Sequence, residues 1–547
     1  MKTVRISAAP YPDQRPGTSG LRKKVTIFQQ PAYLELFIEA IFQTIPNRQG
    51  GILILGGDGR YFNDHAIQII LRMASAHCFD RVIVGQNGIL STPAISHLIR
   101  KRKALGGIIL TASHNPGGPE HDFGVKFNVS NGGPAPEPIT EQIWSVSKQL
   151  SGYEILADTE AMDIDLSKTG IFSLGEMAVE VCSSTSDYIQ LMETIFDFDK
   201  ISLLFKRPEF SIRYDGLHAV TGPYAKALFE DCLGAPSGSV VNFQPLPNFG
   251  GGHPDPNLVY GKSLVDSMFA AGAPAFGAAS DGDGDRHMIL GSHFFVSPCD
   301  SLAILLLHAN RIPHYRNEVQ GVARSMPTSQ AVDDIARDTH IPLFETPTGW
   351  KFFGDLMDAG KVTFCGEESF GAGSTHIREK DGLWAVLFWL SIIADTGKSV
   401  KDLVQDMWHQ YGRHYFTRHD FENLDSMTGS AILADLREDV SKLVGQQIAN
   451  NRIVAADDFS YNDPIDGSII SHQGIRIVFS DHSRIVIRIS GTGTEGATLR
   501  FYFERVEHQK NKLNEDVQQY LQPFIQYAYA LTGILPRSGR SRPNVIT

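Results

Sequence analysis

The segment ILILGGDGRYFNDHAIQIILRMASAHCFDRVIV, residues 52–84, decides the fold. It opens with an apolar run of strand type at 52–55 and turns through a glycine-rich loop. It then continues through a helix-type stretch at 66–76 and ends in a second apolar run at 82–84. A strand, a loop, a helix and a strand within about 30 residues is βαβ spacing. The segment therefore predicts two parallel strands joined by a helix.

The same plan occurs twice more along the chain. Residues 211–243 pass through DGLHAVTGP and a helix-type stretch at 224–233, and residues 319–345 pass through RSMPTS and a helix-type stretch at 330–338. Three repeats of one unit predict three similar mixed α/β domains in series. From about residue 416, alternating runs such as RIVIRIS predict an antiparallel sheet with helices, hence a fourth domain of α+β type. We expect the four domains at residues 1–187, 188–302, 303–415 and 416–547.

Composition narrows the class of protein. The chain has 547 residues, 42% of them hydrophobic and 20% charged, as in ordinary soluble globular proteins. A net charge of −12 disfavours nucleic acid and anionic membranes as partners, because both bind basic surfaces. No signal peptide or transmembrane segment is expected, and five widely spaced cysteines suggest reduced thiols. We therefore expect a cytoplasmic protein.

A candidate nucleophile follows the apolar run GGIIL. Residues 111–119 read TASHNPGGP, which places Ser113 at a predicted strand end with His114 beside it. Serine, asparagine, proline and glycine are also the usual turn formers, so the stretch taken alone is equally typical of a structural turn. Three unusual loops further along the chain favour the functional interpretation.

The first of these loops, residues 281–286, reads DGDGDR. Carboxylates at three alternate positions, Asp281, Asp283 and Asp285, can supply hard oxygen ligands to one divalent cation. An EF-hand shares this opening, but Arg286 occupies the position that requires glycine, and Ser292 occupies the position that requires glutamate. A merely acidic turn is disfavoured because three adjacent like charges repel one another.

The other loops are polar and carry anion-binding or hydroxyl-binding side chains. Residues 364–371 (FCGEESFG), 346–350 (TPTGW) and 376–382 (HIREKDG) offer hydrogen-bonding groups suited to sugar hydroxyls. Residues 488–500 (RISGTGTEGATLR) formally match a dinucleotide fingerprint, but a strand-type run follows it where that motif requires a helix. The loop is better interpreted as a phosphate cradle flanked by arginines. Near the amino terminus, GTSGLRKK is either a solvated basic turn or a second anion contact through Arg22.

Taken in order, these motifs resemble the α-phosphoglucomutases of the phosphohexomutase superfamily, of the eukaryotic, glucose-preferring type. The resemblance runs through GTSGLRKK, TASHNPGG, NGGPAPE, DGDGDR, TPTGWKFFG, CGEESFG, HIREKDGLWA and RISGTGTEGATLR. Residues 23–33 are also similar to parafusin, a protist member associated with membrane fusion in exocytosis. The family implies three similar α/β domains and a C-terminal α+β domain around a central cleft, with one loop per domain lining it.

The resemblance also implies a role for each motif residue. Ser113 would carry the phosphoryl group, and Asp281, Asp283 and Asp285 would bind Mg²⁺ together with the phosphate on Ser113. Basic groups around the transfer site would be Arg22, His114, Lys126 and Lys380, and Arg286 would help to hold the phosphoserine. Sugar contacts would come from Thr348, Gly349, Glu367 and Ser369. The phosphate that is not transferred would be held by Arg488, Ser490, Gly491, Thr492 and Arg500.

The implied reaction interconverts glucose 1-phosphate and glucose 6-phosphate, an isomerase reaction of carbohydrate metabolism. Phosphoserine would donate its phosphoryl group to form glucose 1,6-bisphosphate, which turns round before the other phosphate returns to Ser113. Mg²⁺ would be the cofactor, glucose 1,6-bisphosphate the activator, and a hexose phosphate the substrate. The alternative is a catalytically silent or dual-role phosphoprotein linked to exocytosis, with association with secretory vesicles. The intact TASHNPGG and DGDGDR motifs favour the active enzyme.

Overall fold

The computed structural model describes residues 2–17, 19–157, 163–448, 451–490 and 496–547. The chain forms two compact units, each made of three stretches of sequence. The first unit comprises Met1–Phe295, His308–Val319 and Ser369–Val400. The second unit comprises Val296–Leu307, Gln320–Glu368 and Lys401–Thr547.

A seven-stranded sheet forms the amino-terminal part of the first unit. The strand Ile52–Gly57 pairs in parallel with Arg81–Ile89 on one side and with Gly106–Leu110 on the other. The helix Asn63–Ala76 joins the first two of these strands, which confirms the predicted βαβ unit. Nearly every residue of Ile52–Gly57 is buried, as expected for a central parallel strand. The other strands of this sheet are Leu21–Lys24, Asp122–Val129, Gly170–Leu174 and Met177–Cys182, whereas Thr3–Ser7 and Gly152–Leu156 pair only with each other. Further helices are Val25–Phe28, Tyr33–Thr44, Thr92–Arg102 and Glu137–Ser147.

The second repeat also lies in the first unit. Its strand Ile212–Asp215 pairs in parallel with Val240–Val241 and with Phe276–Ser280. The predicted helix at 224–233 is only partly α-helical, because the α-helix Thr221–Ala225 continues as the π-helix Lys226–Cys232. Apolar periodicity does not reveal such a change in hydrogen bonding. Further strands are His287–Gly291, Phe294–Val296 and Gly371–Ser374, and further helices are Ser186–Ile195, Phe198–Phe205, Phe249–Gly251, Lys262–Met268, Ala309–Arg311, Pro313–Tyr315 and Gly382–Thr396.

The third repeat lies in the second unit. Its strand Val322–Ser325 pairs in parallel with Leu343–Thr346 and with Phe364–Glu367. The helix Ala331–Asp338 joins the first two strands, so the third predicted βαβ unit is confirmed as well. Further helices here are Pro298–Leu307, Trp350–Asp358 and Val400–Tyr411.

The C-terminal part of the second unit is an antiparallel sheet with helices, as the alternating runs predict. Its long strands Arg484–Ser490 and Ala497–Glu507 pair with each other, and Ala497–Glu507 also pairs with Arg413–Leu424. This sheet begins at Arg413, slightly before the predicted position near 416. Further strands are Gln447–Ile448, Asn451–Asp458, Tyr461–Asn462, Ile469–Ile470, Ile475–Phe479 and Val545–Ile546, and the helices are Ser426–Asp439, Val440–Leu443, Lys510–Lys512, Val517–Thr532 and Ile534–Ser538.

The three repeats place their unusual loops at equivalent positions. In each repeat the first strand also pairs in parallel with a third strand of the same repeat. A polar loop directly follows this third strand. These loops begin at Thr111, Asp281 and Glu368. The carboxyl ends of parallel strands are where ligands bind in α/β sheets. The fold therefore places the candidate functional loops at the carboxyl ends of these strands, where ligand binding is expected.

Among the described residues, no single helix has the length and apolar content needed to cross a membrane. The consecutive helices Gly382–Thr396 and Val400–Tyr411 meet that test only when they are taken together.

Candidate active site

Ser113 is held in an uncommon backbone conformation. Its φ of 53° lies in the left-handed region, which non-glycine residues enter at a cost. The amide of Ser113 donates to Thr111 Oγ1 at 2.7 Å, and its carbonyl accepts from Arg60 Nη2 at 2.8 Å. Both backbone polar groups of Ser113 are thus fixed by neighbouring side chains, so the surrounding structure determines this conformation.

The metal loop, residues 281–286, is closed by its own first carboxylate. Asp281 Oδ1 accepts from the amides of Asp285 and Arg286 at 2.9 and 3.0 Å. Gly284 adopts a φ of +81°, which permits the sharp turn. All three aspartates are buried, and each has a carboxylate oxygen within 4.8 Å of the others. The alternating sequence therefore produces a converging set of carboxylate oxygens.

The negative charges of the three aspartates are only partly balanced by positive side chains. Burial and the neighbouring Asp285 and Asp283 raise the pKa of Asp281 well above its ordinary value, although Arg286 and Lys380 oppose the rise. In the described part of the chain, Oδ1 of Asp283 and Oδ1 of Asp285 are buried without a hydrogen-bond partner. Buried carboxylate oxygens that lack donors are suited to a hard divalent cation. The donor set therefore fits the cation that the sequence predicts.

The candidate nucleophile lies directly beside this group. Ser113 Oγ donates to Asp281 Oδ2 at 2.8 Å, and His114 Nδ1 is 3.4 Å from the same hydroxyl. The two atoms of the first contact come from residues 168 positions apart in the sequence. The fold thus brings the serine loop and the metal loop of two different repeats together. A phosphoryl group on Ser113 Oγ would stand next to the carboxylate cluster and to any cation bound there.

The predicted basic residues of the first unit surround the carboxylates. Lys380 Nζ is 3.1 Å from Asp285 Oδ2, and Arg286 Nε is 3.8 Å from Asp281 Oδ2. Lys126 forms a buried ion pair with Glu379, and its charge helps to lower the pKa of Asp283 against the opposing effect of burial. Burial lowers the pKa of Arg22, which lies close enough to Asp283 to interact with its charge.

Several residues of this region are not evident from the sequence. Arg60 Nε contacts both carboxylate oxygens of Asp58 at 3.0 and 2.8 Å, and Asp58 accepts from Thr111 Oγ1 at 2.6 Å. Thr92 Oγ1 donates to Asp283 Oδ2 at 2.7 Å. Asp58 and Arg60 belong to the GGDGR loop, and their charges at a predicted strand end could have indicated a functional role. Thr92 lies in no comparable motif.

The predicted sugar contacts divide between the units. In the second unit, the amide of Gly349 donates to Glu367 Oε1 at 3.1 Å, and Gly349 has a φ of 130°. Among the described residues, Thr348 Oγ1 is buried without a hydrogen-bond partner. These three residues therefore lie together with a free hydroxyl. Ser369 belongs to the first unit, where it is the first residue of the stretch Ser369–Val400 that also contains Lys380.

The predicted phosphate cradle is partly described. Arg488 and Arg500 lie directly opposite each other on paired antiparallel strands, and Ser490 is buried near the end of the first strand. Arg500 Nε is 3.5 Å from Asp420 Oδ2, and Arg488 Nη1 donates to the hydroxyl of Tyr502 at 3.3 Å. Two like charges directly opposite each other are unfavourable unless an anion joins them. Gly491 and Thr492 lie outside the described residues.

Family models match four consecutive stretches of the chain. Models of the phosphoglucomutase/phosphomannomutase α/β/α domains I, II and III match residues 13–154, 186–293 and 298–411. The model of the phosphoglucomutase-1 C-terminal domain matches residues 413–544.

Relatives match over the whole chain. A phosphoglucomutase of Rhizobium radiobacter is 53% identical and covers 100% of both chains. Cytoplasmic phosphoglucomutase 1 of Zea mays is 50% identical over 100% of this chain and 99% of its own. The crystal structure of the exocytosis-sensitive phosphoprotein pp63/parafusin, a phosphoglucomutase from Paramecium, is 46% identical. It has a TM-score of 0.91 and covers 100% of this chain and 99% of its own. The chain therefore belongs to the phosphoglucomutase family.

Proposed function

We propose that this chain interconverts glucose 1-phosphate and glucose 6-phosphate through phosphorylated Ser113 and glucose 1,6-bisphosphate. The observation that carries the proposal is the 2.8 Å contact between Ser113 Oγ and Asp281 Oδ2 at the edge of the buried carboxylate group. A nucleophilic oxygen next to a cation site is what phosphoryl transfer requires.

The proposed reaction has two balanced transfers. In the first, the bond between Ser113 Oγ and phosphorus breaks and a bond forms between phosphorus and the C6 oxygen of glucose 1-phosphate; that hydroxyl gives its proton to a basic group, and Ser113 Oγ takes up a proton. In the second, the bond between O1 of the bisphosphate and phosphorus breaks and the bond to Ser113 Oγ forms again; Ser113 Oγ gives up its proton, and O1 takes up a proton. His114 and Lys380 are the candidates for proton transfer, because the first contacts Ser113 and the second contacts Asp285.

Asp281, Asp283 and Asp285 would hold the cation, which we propose to be Mg²⁺. When bound, it would supply positive charge to the phosphoryl oxygens during transfer. Arg22, Lys126 and Arg286 would add fixed positive charge around the same oxygens. Lys126 is buried and paired with Glu379, so its charge is positioned before the substrate binds.

The remaining substrate contacts are proposed as the sequence predicts them. Thr348, Gly349, Glu367 and Ser369 offer hydroxyl, backbone and carboxylate groups to sugar hydroxyls. Arg488, Ser490 and Arg500, with Gly491 and Thr492, would bind the phosphate that is not transferred. The direct opposition of Arg488 and Arg500 supports this assignment.

The remaining expectations complete the proposal. We propose glucose 1,6-bisphosphate as the activator, the cytoplasm as the location, and domains at residues 1–187, 188–302, 303–415 and 416–547. The four family matches, which begin at residues 13, 186, 298 and 413, support a division into four. A catalytically silent protein is disfavoured because Ser113 and the aspartates are assembled. No feature of the described residues favours association with secretory vesicles.

The test is conversion of glucose 1-phosphate to glucose 6-phosphate with Mg²⁺ and a trace of glucose 1,6-bisphosphate. We expect Ser113→Ala and a chelator each to abolish turnover, whereas Asp266→Asn, an exposed residue of the same unit, leaves turnover unchanged. Mass spectrometry should find a phosphoryl group on Ser113 after incubation with the bisphosphate. A folded wild-type protein without turnover under these conditions would contradict the proposal and favour the silent alternative.

A further inference from the structure

The segment 374–382 brings two charged residues to the candidate active site. Glu379 pairs with Lys126 and accepts from Asn128 Nδ2 at 2.8 Å, and Lys380 Nζ is 3.1 Å from Asp285 Oδ2. The amide of Gly382 donates to the carbonyl of Gly284 in the metal loop at 3.0 Å. Whatever fixes this segment therefore also fixes Lys380 relative to the cation site.

Asp381 anchors the segment from its far side. The carboxylate of Asp381 is completely buried and accepts from the hydroxyl of Tyr188 at 2.6 Å and from the amide of Trp384 at 3.1 Å. The second of these bonds caps the helix Gly382–Thr396. The other carboxylate oxygen of Asp381 is 3.0 Å from Nε2 of His376. One buried carboxylate thus joins two helices and the segment that carries Lys380.

The hydrogen bonds behind His376 form a continuous buried chain. Asp381 only accepts, so Nε2 of His376 donates to it, and Nδ1 of His376 is 2.8 Å from Ser374 Oγ. The hydroxyls of Ser374 and Tyr315 hydrogen-bond to each other, and the hydroxyl of Tyr315 accepts from Trp384 Nε1 at 2.8 Å. The chain ends on the carboxylate of Asp381. Such a fully satisfied buried network specifies one arrangement of the backbone.

The order of serine, histidine and aspartate resembles a hydrolytic triad, but the surroundings exclude that chemistry. Ser374 and Asp381 are both 0% exposed, and the hydroxyl of Tyr315 also contacts the serine. A substrate carbonyl cannot reach Ser374 Oγ, as acyl transfer requires. The network therefore serves to fix the position of the residues next to it.

We propose that Asp381 and His376 are positioning residues for Lys380. The carboxylate, restrained by His376 and Tyr188, fixes the backbone that follows Lys380 and so directs the Lys380 ammonium to Asp285. Asp381 touches no reacting atom, and it acts only through the neighbouring residue. This inference rests on the proposed function, in which Lys380 lies at the transfer site.

The test is a double-mutant cycle between Asp381→Asn and Lys380→Ala, measured as kcat and KM for glucose 1-phosphate. Asparagine still caps a helix but lacks the charge that orders His376. We expect Asp381→Asn to lower kcat about 10- to 100-fold with little change in KM, because small misplacements of a catalytic group have such costs. In the Lys380→Ala background the same change should have almost no further effect. Asp197→Asn, which alters another helix cap of the same unit, should leave kcat unchanged.

The possible outcomes distinguish failure of the positioning role from failure of the proposed function. If the two effects multiply, or if folded Asp381→Asn protein keeps its kcat within about twofold, the proposal is overturned. If Asp381→Asn does not fold, His376→Gln takes its place in the cycle, since it leaves the helix cap intact. Calorimetric titration with Mg²⁺ should give the same affinity for wild type and Asp381→Asn. Inactivity of the wild type, or full activity of Lys380→Ala, would instead contradict the proposed function or the proposed role of Lys380.

Discussion

His414 should make the stability of the second unit depend on pH. His414 Nδ1 is 2.8 Å from Glu504 Oε1, and Nε2 is 3.0 Å from Asp334 Oδ2. Burial by itself lowers the pKa of His414, but hydrogen bonds and charges from these two carboxylates outweigh it and raise the pKa to about 9. Since the ordinary value is about 6.5, the protonated form stabilises the fold by roughly 3 kcal/mol. The folded protein binds this proton more tightly than the unfolded chain. The stabilisation is therefore complete below about pH 6.5 and is lost as the pH rises through about 9.

The perturbation is His414→Gln, which removes the titrating group. The difference in free energy of unfolding between wild type and variant, from urea titrations, should be largest at pH 6 and should shrink by roughly 3 kcal/mol by pH 10. An NMR titration should place the pKa of His414 near 9, with its signal assigned by its absence from the variant. The control is His472→Gln, an exposed histidine of the same unit that pairs with Asp458. A pKa of 6.5 or below, or a difference that stays constant with pH, would refute the reasoning.

Three further predictions concern the candidate active site. Thr92→Val removes the hydroxyl that donates to Asp283, so calorimetry should show Mg²⁺ affinity lowered about 10- to 100-fold, while Thr92→Ser stays close to wild type. Gly382→Ala places a Cβ 2.2 Å from the carbonyl of Arg286, so the metal loop must shift, and both kcat and Mg²⁺ affinity should fall. Arg500→Ala removes one of the two opposed arginines, so KM for glucose 1-phosphate should rise at least about tenfold with a smaller change in kcat; an unchanged KM would argue against the cradle.

The sequence was sufficient for the parts of the fold that have a local pattern. Residues 52–84 contain apolar runs and a glycine-rich loop whose spacing determines a βαβ unit, and the aspartates of DGDGDR are adjacent enough to reveal a cation site. The serine loop needed the other loops, because a strand end rich in turn formers has two plausible roles. For the βαβ unit and the cation site, the signal is contained within about 30 residues.

Other parts of the site depend on contacts that leave no such pattern. Thr92 meets Asp283 across 191 positions of sequence, and Lys126 meets Glu379 across 253. A lone threonine at the first position of a helix, or a glutamate in a charged loop, has no periodicity that identifies its partner. The membership of residues 369–400 in the first unit was hidden for the same reason, since their sequence continues the third repeat.

The first unit consists of three separate stretches of sequence, and this constrains how it can fold during synthesis. The aspartates of the metal loop leave the ribosome almost a hundred residues before Lys380, and the unit is not complete until residue 400 has emerged. Until then the buried carboxylates of the nascent chain lack their lysine and the helix Gly382–Thr396. Complete folding of this unit therefore requires later parts of the polypeptide. For the same reason, no single cut in the gene releases either unit as an independent fragment.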